Sequence, residues 1–306
     1  MRSLGIDTSN YTTSVALYDT VSGKMISRRR LLTVKKGDLG LRQSDALFQH
    51  TVALPDLLSD LFREADVRPD RVGVSVSPCD FEGSYMPCFL AGVSAADAVG
   101  AAMGLPVRRV SHQAGHIAAV LWDAGRTDLF GRDFLAFHVS GGTTDAVVVR
   151  PGTDRPFLID KQAGSLDLKA GQAVDRVGQM LGLPFPAGKA LDELSLKSGK
   201  TYRHRPFVRD GSVSLSGVEN KCRAMLDAGE SPEDVANYCL SFIVAAIDKM
   251  AEDLTKAYPG LPLIFSGGVS SNPMLRTFMT KKYGAVFSLN GFGTDNAAGV
   301  AYLASL

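Results

Sequence analysis

The sequence has no run of about 18 apolar residues, so no segment suits a membrane-spanning helix. Its four cysteines, Cys79, Cys88, Cys222 and Cys239, never reach C-x-x-C spacing. That argues against a zinc knuckle or a disulfide framework and fits reduced thiols in a cytoplasmic protein. A surplus of charge is missing too. The 33 basic and 32 acidic side chains leave +1, so no global field draws the chain to nucleic acid or to a membrane surface. The opening M-R-S-L-G-I-D-T-S lacks a signal-peptide apolar centre. No H-E-x-x-H occurs, so a zinc peptidase is unsupported. What is present is a chain 45% hydrophobic and 21% charged, a globular composition, with 306 residues for two lobes.

One stretch organises the rest. Val107 to Val110 is a short apolar run ending at Ser111, which can cap a helix that starts at His112. His112 and His116 lie four apart, and so project from one face of that helix. Five histidines in this chain would give about 0.08 such pairs by chance, so the pair points to metal ligation. Next, Phe134 to Val139 and Ala146 to Val149 form a hairpin around Ser140-Gly141-Gly142-Thr143-Thr144. Two glycines flanked by hydroxyls let backbone N–H groups come close to a phosphate. Together these features suggest a metal-nucleotide site.

In chain order, strands are expected at Arg2–Thr8, Thr13–Asp19, Met25–Leu32, Val72–Ser77 and Phe157–Lys161, and later at Leu261–Ser266 and Val286–Leu289. Helices are expected at Gln43–Ala65 (kinked or broken at Pro55), Tyr85–Met103, Ala170–Leu183, Pro232–Ala257, Asn272–Tyr283 and Asp295–Ala304. The segment from Lys197 to Gly217 is polar and basic, with Arg203, His204, Arg205 and Arg209, and reads as a surface excursion. An internal echo links the two halves. Leu4 to Tyr18 and Phe137 to Val149 are both strand, small polar turn, strand, and a third strand and a helix follow each. This implies two related α/β lobes, each using its first hairpin to hold phosphate in a cleft between them. It is the plan of the actin, Hsp70 and sugar-kinase (ASKHA) superfamily, with duplicated RNase H-like lobes. The expected division is 1–105 and 106–306, with a helical insertion about 190–230 and the last helix packing back on the N-terminal lobe.

Seven blocks then match one family in order: V-S-H-Q-A-G-H (110–116), H-V-S-G-G-T-T (138–144), A-G-Q-A-V-D-R (170–176), M-L-G-L-P-F-P-A-G (180–188), S-L-S-G-V (214–218), S-G-G-V-S-S-N-P-M-L-R (266–276) and T-D-N-A-A (294–298). Over nearly its whole length the chain resembles TsaD, the tRNA threonylcarbamoyladenosine transferase family once labelled a glycoprotease or M22 peptidase. The resemblance implies a metal, iron or zinc, on His112, His116 and Asp295, with magnesium accompanying the nucleotide as another option. Two imidazoles and a carboxylate leave positions open for water or a phosphate oxygen. It implies ATP or a carbamoyl-adenylate against His138, Val139, Ser140, Gly141, Gly142 and Thr143. Asp175, Gly188 and Asn272 would surround ribose and base, and Gly267-Gly268 would lie close to adenine. It further implies a tRNA acceptor, a protein partner of the same pathway and no membrane.

The chain departs from the family at several positions. The first hairpin reads Thr8-Ser9-Asn10-Tyr11-Thr12-Thr13, without the family's adjacent acids. Thr143 replaces a histidine, and Asp167-Leu168-Lys169-Ala170-Gly171-Gln172 lacks two acids and gains a lysine. Ser77-Pro78-Cys79-Asp80-Phe81-Glu82-Gly83 replaces a glycine-rich loop. Asp7 is the surviving acid for orienting an acceptor. Arg28-Arg29-Arg30 and Lys35-Lys36 are the basic clusters expected to meet tRNA phosphates. The expected activity is metal-dependent transfer of a carbamoyl or threonylcarbamoyl group. The alternative is a non-catalytic ATP-binding paralogue that switches for a protein partner. A sugar-type kinase would leave the two histidines without a purpose.

Overall fold

In the computed structural model, residues 1–9, 11–34 and 41–306 are described, so Asn10, Lys35 and Lys36 lie outside the described residues. The chain forms two compact units: one of Met1–Phe130, Gly152–Phe157 and Ser288–Leu306, the other of Gly131–Pro151 and Leu158–Phe287.

The first unit opens with β1 (Arg2–Ser9), β2 (Thr12–Asp19) and β3 (Met25–Leu31), an antiparallel meander. Helix α1 (Gln43–Ala65) follows, then β4 (Arg71–Ser77), α2 (Phe89–Met103), β5 (Val107–Ser111) and α3 (His112–Asp123). The sheet order is β3-β2-β1-β4-β5, with β4 parallel to β1 and β5 parallel to β4. Thus β5 and α3, which follow the expected boundary at 105, join the first unit through strand pairing. Helix α1 runs unbroken through Pro55, because Leu54, Leu57 and Leu61 on either side stay packed in one apolar core with Leu4, Ile6, Val15 and Leu17.

The second unit contains β6 (Phe134–Val139), β7 (Thr144–Pro151), β8 (Phe157–Gly164), α4 (Ala170–Met180), α5 (Gly188–Ser195), the short strands β9 (Val208–Arg209) and β10 (Ser212–Val213), α6 (Ser216–Asp227), α7 (Pro232–Ala257), β11 (Leu263–Ser266), α8 (Pro273–Tyr283) and β12 (Val286–Phe287). Its sheet order is β12-β11-β6-β7-β8, with β6 antiparallel to β7 and parallel to β11. Read from the third strand of each unit, both sheets run third-second-first-fourth-fifth, which is the duplication the sequence echo implies. Stacked rings of Phe137, Phe265 and Phe287, 4.8 and 4.9 Å between neighbouring centroids, tie β6, β11 and β12 together.

The last helix, α9 (Asn296–Ser305), belongs to the first unit. Strand β2 is buried on both faces and shows why. Val15 and Leu17 face the α1 core, whereas Ala16 and Tyr18 pack with Ala297, Ala298 and Ala301 of α9. No helix among the described residues is long and apolar enough to cross a membrane.

Candidate active site

Helix α3 begins where the sequence places it. The Ser111 hydroxyl accepts a hydrogen bond from the Ala114 N–H at 3.1 Å, which starts the helix at His112. The four-residue spacing brings His112 Nε2 to 3.0 Å from His116 Nε2. Behind the pair, each Nδ1 meets an oxygen: His112 faces Asp7 Oδ1 at 2.9 Å and His116 faces the Gly293 carbonyl at 3.2 Å. Asp7 stands on β1 and is 1% exposed. Its Oδ1 also accepts from the Ser75 hydroxyl and from Asn296 Nδ2 (2.7 Å), and its Oδ2 accepts from the Ser9 N–H at 3.3 Å.

Burial alone would raise the Asp7 carboxyl, but the His112 imidazole and the hydrogen bonds from His112, Ser75 and Ser9 outweigh it and hold Asp7 well below the usual carboxylate range. Asp7 Oδ1 already accepts from Ser75 and Asn296, and Asn296 Nδ2 also lies 2.8 Å from His112 Nδ1, so without an ion the two rings can share one hydrogen bond from Nε2 to Nε2. With an ion bound, both Nε2 atoms would be acceptors, and the ring protons would sit on Nδ1, facing Asp7 Oδ1 and the Gly293 carbonyl. Nitrogens bound at a right angle to one ion at about 2.1 Å each would lie about 3.0 Å apart, and carboxylate or carbonyl partners behind are what orient metal-binding imidazoles. The imidazole pair fits a metal ion.

Asp295 precedes α9, is 4% exposed, and its Oδ1 has no hydrogen-bond partner. Burial pushes its carboxyl up. Among the described residues no group of three His, Cys, Asp or Glu side chains converges on one point, so two of the three expected ligands are assembled. Asp7, expected to orient an acceptor, faces His112. The loop from Pro78 to Gly83 lies against the start of α3, where the Pro78 carbonyl accepts from the Gln113 N–H at 3.0 Å.

The expected nucleotide residues fall in the second unit. The β6–β7 turn is closed by Ser140 N–H donating to the Thr143 carbonyl (2.7 Å) and Thr143 N–H donating to the Ser140 hydroxyl (3.1 Å). His138, just before it, is buried beside the Ser266 hydroxyl at 3.2 Å. At Gly267, φ is +89° and an added Cβ would lie 2.5 Å from the Val139 carbonyl oxygen, so the chain crosses β6 only as glycine; Gly268 has open space. Asp175 accepts from the Ala187 N–H at 2.8 Å, next to Gly188 at the start of α5. Asn272 is already engaged. Its Oδ1 caps α8 by accepting from the Leu275 N–H (2.8 Å), and its Nδ2 donates to Asp192 Oδ1 (2.6 Å). In the departed segment, Asp167 gathers the hydroxyls of Ser214 and Ser216, and Lys169 Nζ reaches the Ser165 carbonyl at 3.4 Å.

Sequence reasoning passed over Ser75, Asn296 and Asp192. Asn296 sits inside the T-D-N-A-A block, which was the available signal; Ser75 and Asp192 carry none. The first basic run is largely neutralised, since Arg28 pairs with Glu64 and Arg30 with Asp56 at 3.2 Å.

A sequence model of the TsaD family, described as tRNA N6-adenosine threonylcarbamoyltransferase, matches residues 28–302. A protein of that name from Buchnera aphidicola (subspecies Acyrthosiphon pisum, strain Tuc7) is 31% identical, over 100% of this chain and 93% of its own. Another, from Archaeoglobus fulgidus, is 28% identical over 99% of this chain and 90% of its own. Among solved structures, T. kodakarensis HypF aligns with a TM-score of 0.64 at 12% identity, over 99% of this chain and 47% of that one. A ROK-family glucokinase from Streptomyces griseus, in complex with glucose and AMPPNP, gives 0.56 at 13%, over 100% and 99%. These two structures bear on the fold alone, and both support the actin-, Hsp70- and sugar-kinase-like class.

Proposed function

Since the chain belongs to the TsaD family of tRNA N6-adenosine threonylcarbamoyltransferases, we propose that it transfers a threonylcarbamoyl group from an adenylate to an adenosine of tRNA. In this reaction the adenosine N6 amine attacks the carbamoyl carbon. A C–N bond forms, the C–O bond to the adenylate phosphate breaks, AMP leaves and the amine loses one proton.

The observation that carries the reading is the relay Asp7–His112–His116, with its two facing Nε2 atoms 3.0 Å apart. His112 and His116 would hold a divalent ion, iron or zinc, with the unpartnered Asp295 Oδ1 as third donor. When bound, such an ion polarises phosphate and carbonyl oxygens. Asp7 is then a positioning residue: it keeps the His112 proton on Nδ1 and the ring pointed at its neighbour. The backbone from His138 to Thr143, with Gly267 and Gly268, would bind the adenine nucleotide, and Asp175 would accept from ribose hydroxyls.

The test is direct. Unmodified tRNA is incubated with the protein and threonylcarbamoyl-adenylate, digested to nucleosides and weighed by mass spectrometry. An adenosine heavier by one threonylcarbamoyl group is expected. Unchanged adenosine, with the protein folded and metal-loaded, overturns the proposal.

A further inference from the structure

The segment between α5 and β9 has no regular secondary structure, yet its exposure alternates, and the alternation continues into β9. Tyr202, His204, Pro206 and Val208 are half-buried, whereas Arg203, Arg205, Phe207 and Arg209 are exposed. An extended chain sets alternate side chains on one face, about 6.6 Å apart. The inner face is anchored on α7. The His204 ring meets Tyr238 and Phe242 edge to face, with centroids 4.9 and 5.5 Å apart, and its Nε2 lies 2.8 Å from the Ser241 hydroxyl. Asn237 Nδ2 donates to the Lys200 carbonyl at 2.8 Å, and the Ser214 N–H donates to the Phe207 carbonyl at 3.1 Å. The outer face is therefore held by the fold.

That outer face is chemically uniform. Arg203, Arg205 and Arg209 form no ion pair among the described residues, although Lys200 just before them is taken up by Glu230 and Asp234. The single acid in the run, Asp210, sits at the hairpin tip with φ of +50°. Phe207 is 62% exposed between the arginines. A guanidinium fork matches phosphate oxygens in two-point fashion, and an exposed ring offers a platform for a base.

We infer that this edge is a contact surface for RNA, with the three guanidinium groups on backbone phosphates and the Phe207 ring stacked on an unpaired base of a loop. The inference rests on the tRNA reading above and adds the surface that meets it. It also moves the phosphate contacts away from Arg28 and Arg30, which already have acids of their own. Preorganisation by α7 lowers the ordering cost of the contact.

The experiment measures binding of the full chain to unmodified tRNA by fluorescence anisotropy across a salt series. The wild type is compared with the Arg203→Ala, Arg205→Ala, Arg209→Ala triple variant and with Phe207→Ala, each checked for unchanged thermal unfolding. The triple variant is expected to weaken binding and to make the slope of log affinity against log salt shallower by about 2–3. Phe207→Ala is expected to weaken binding about tenfold with the slope kept. Unchanged affinity and slope in the triple variant overturn the inference and leave the tRNA acceptor in place. Binding of polyglutamate in place of tRNA, lost in the triple variant, overturns it in favour of an acidic protein. No tRNA binding by the wild type removes both readings.

Discussion

His50 shows how much a single side chain can set in this molecule. It lies on α1, fully buried, with Nδ1 2.8 Å from the Thr13 hydroxyl and Nε2 without a hydrogen-bond partner. Burial drives its pKa down from 6.5 to about 4, against a smaller upward pull from Asp7. Between those values the unfolded chain binds a proton and the folded chain does not. Stability is therefore complete above pH 6.5 and falls as the pH drops toward 4, by about 2–3 kcal/mol at pH 4.5. Chemical denaturation at pH 7 and 4.5 should show this loss in the wild type and much less of it in His50→Gln. Equal losses in the two proteins would contradict the assignment. Asp7 acts in the same direction as His50 but at lower pH. Its depressed carboxyl keeps its contribution until the pH falls below the usual carboxylate range.

Two elements depend on close backbone approach. Where α3 crosses α9, a Cβ on Gly299 would lie 1.8 Å from the Gly115 carbonyl oxygen, and Gly115 sits between the two histidines. Gly299→Ala should therefore cost at least about 3 kcal/mol and lower metal uptake along with stability. In the second unit, Gly267→Ala faces both its positive φ and the Val139 carbonyl, and a loss of about 2–4 kcal/mol is expected in a denaturant midpoint. Gly268→Ala meets nothing within 4 Å, so it should stay within about 0.5 kcal/mol of wild type while weakening adenine-nucleotide binding tenfold or more. Such features separate what was legible from what was not. The Ser111 cap, the i, i+4 histidines and the β6–β7 hairpin are local, so composition and spacing reveal them. Ser75 and Asn296 reach Asp7 across 68 and 289 positions, and no local pattern reports that convergence. Pro55 misled in the same way: its local tendency to break a helix is overridden by packing on both sides.

For the whole molecule, the sequence echo conveys the duplication because each unit repeats one strand order. Ala297, Ala298 and Ala301 cover Ala16 and Tyr18 of the first sheet. Truncation before Asn296 should therefore unfold the first unit and leave a protease-resistant piece within Gly131–Phe287. Uniform digestion of the chain would contradict that division. The proposed function depends, finally, on a cation held between the two imidazoles. Elemental analysis of protein purified without chelator, and again after loading with iron or zinc, tests it most directly. Near-stoichiometric metal in the wild type, lost in the His112→Ala, His116→Ala variant, is expected. A wild type that holds no metal under either condition would contradict it.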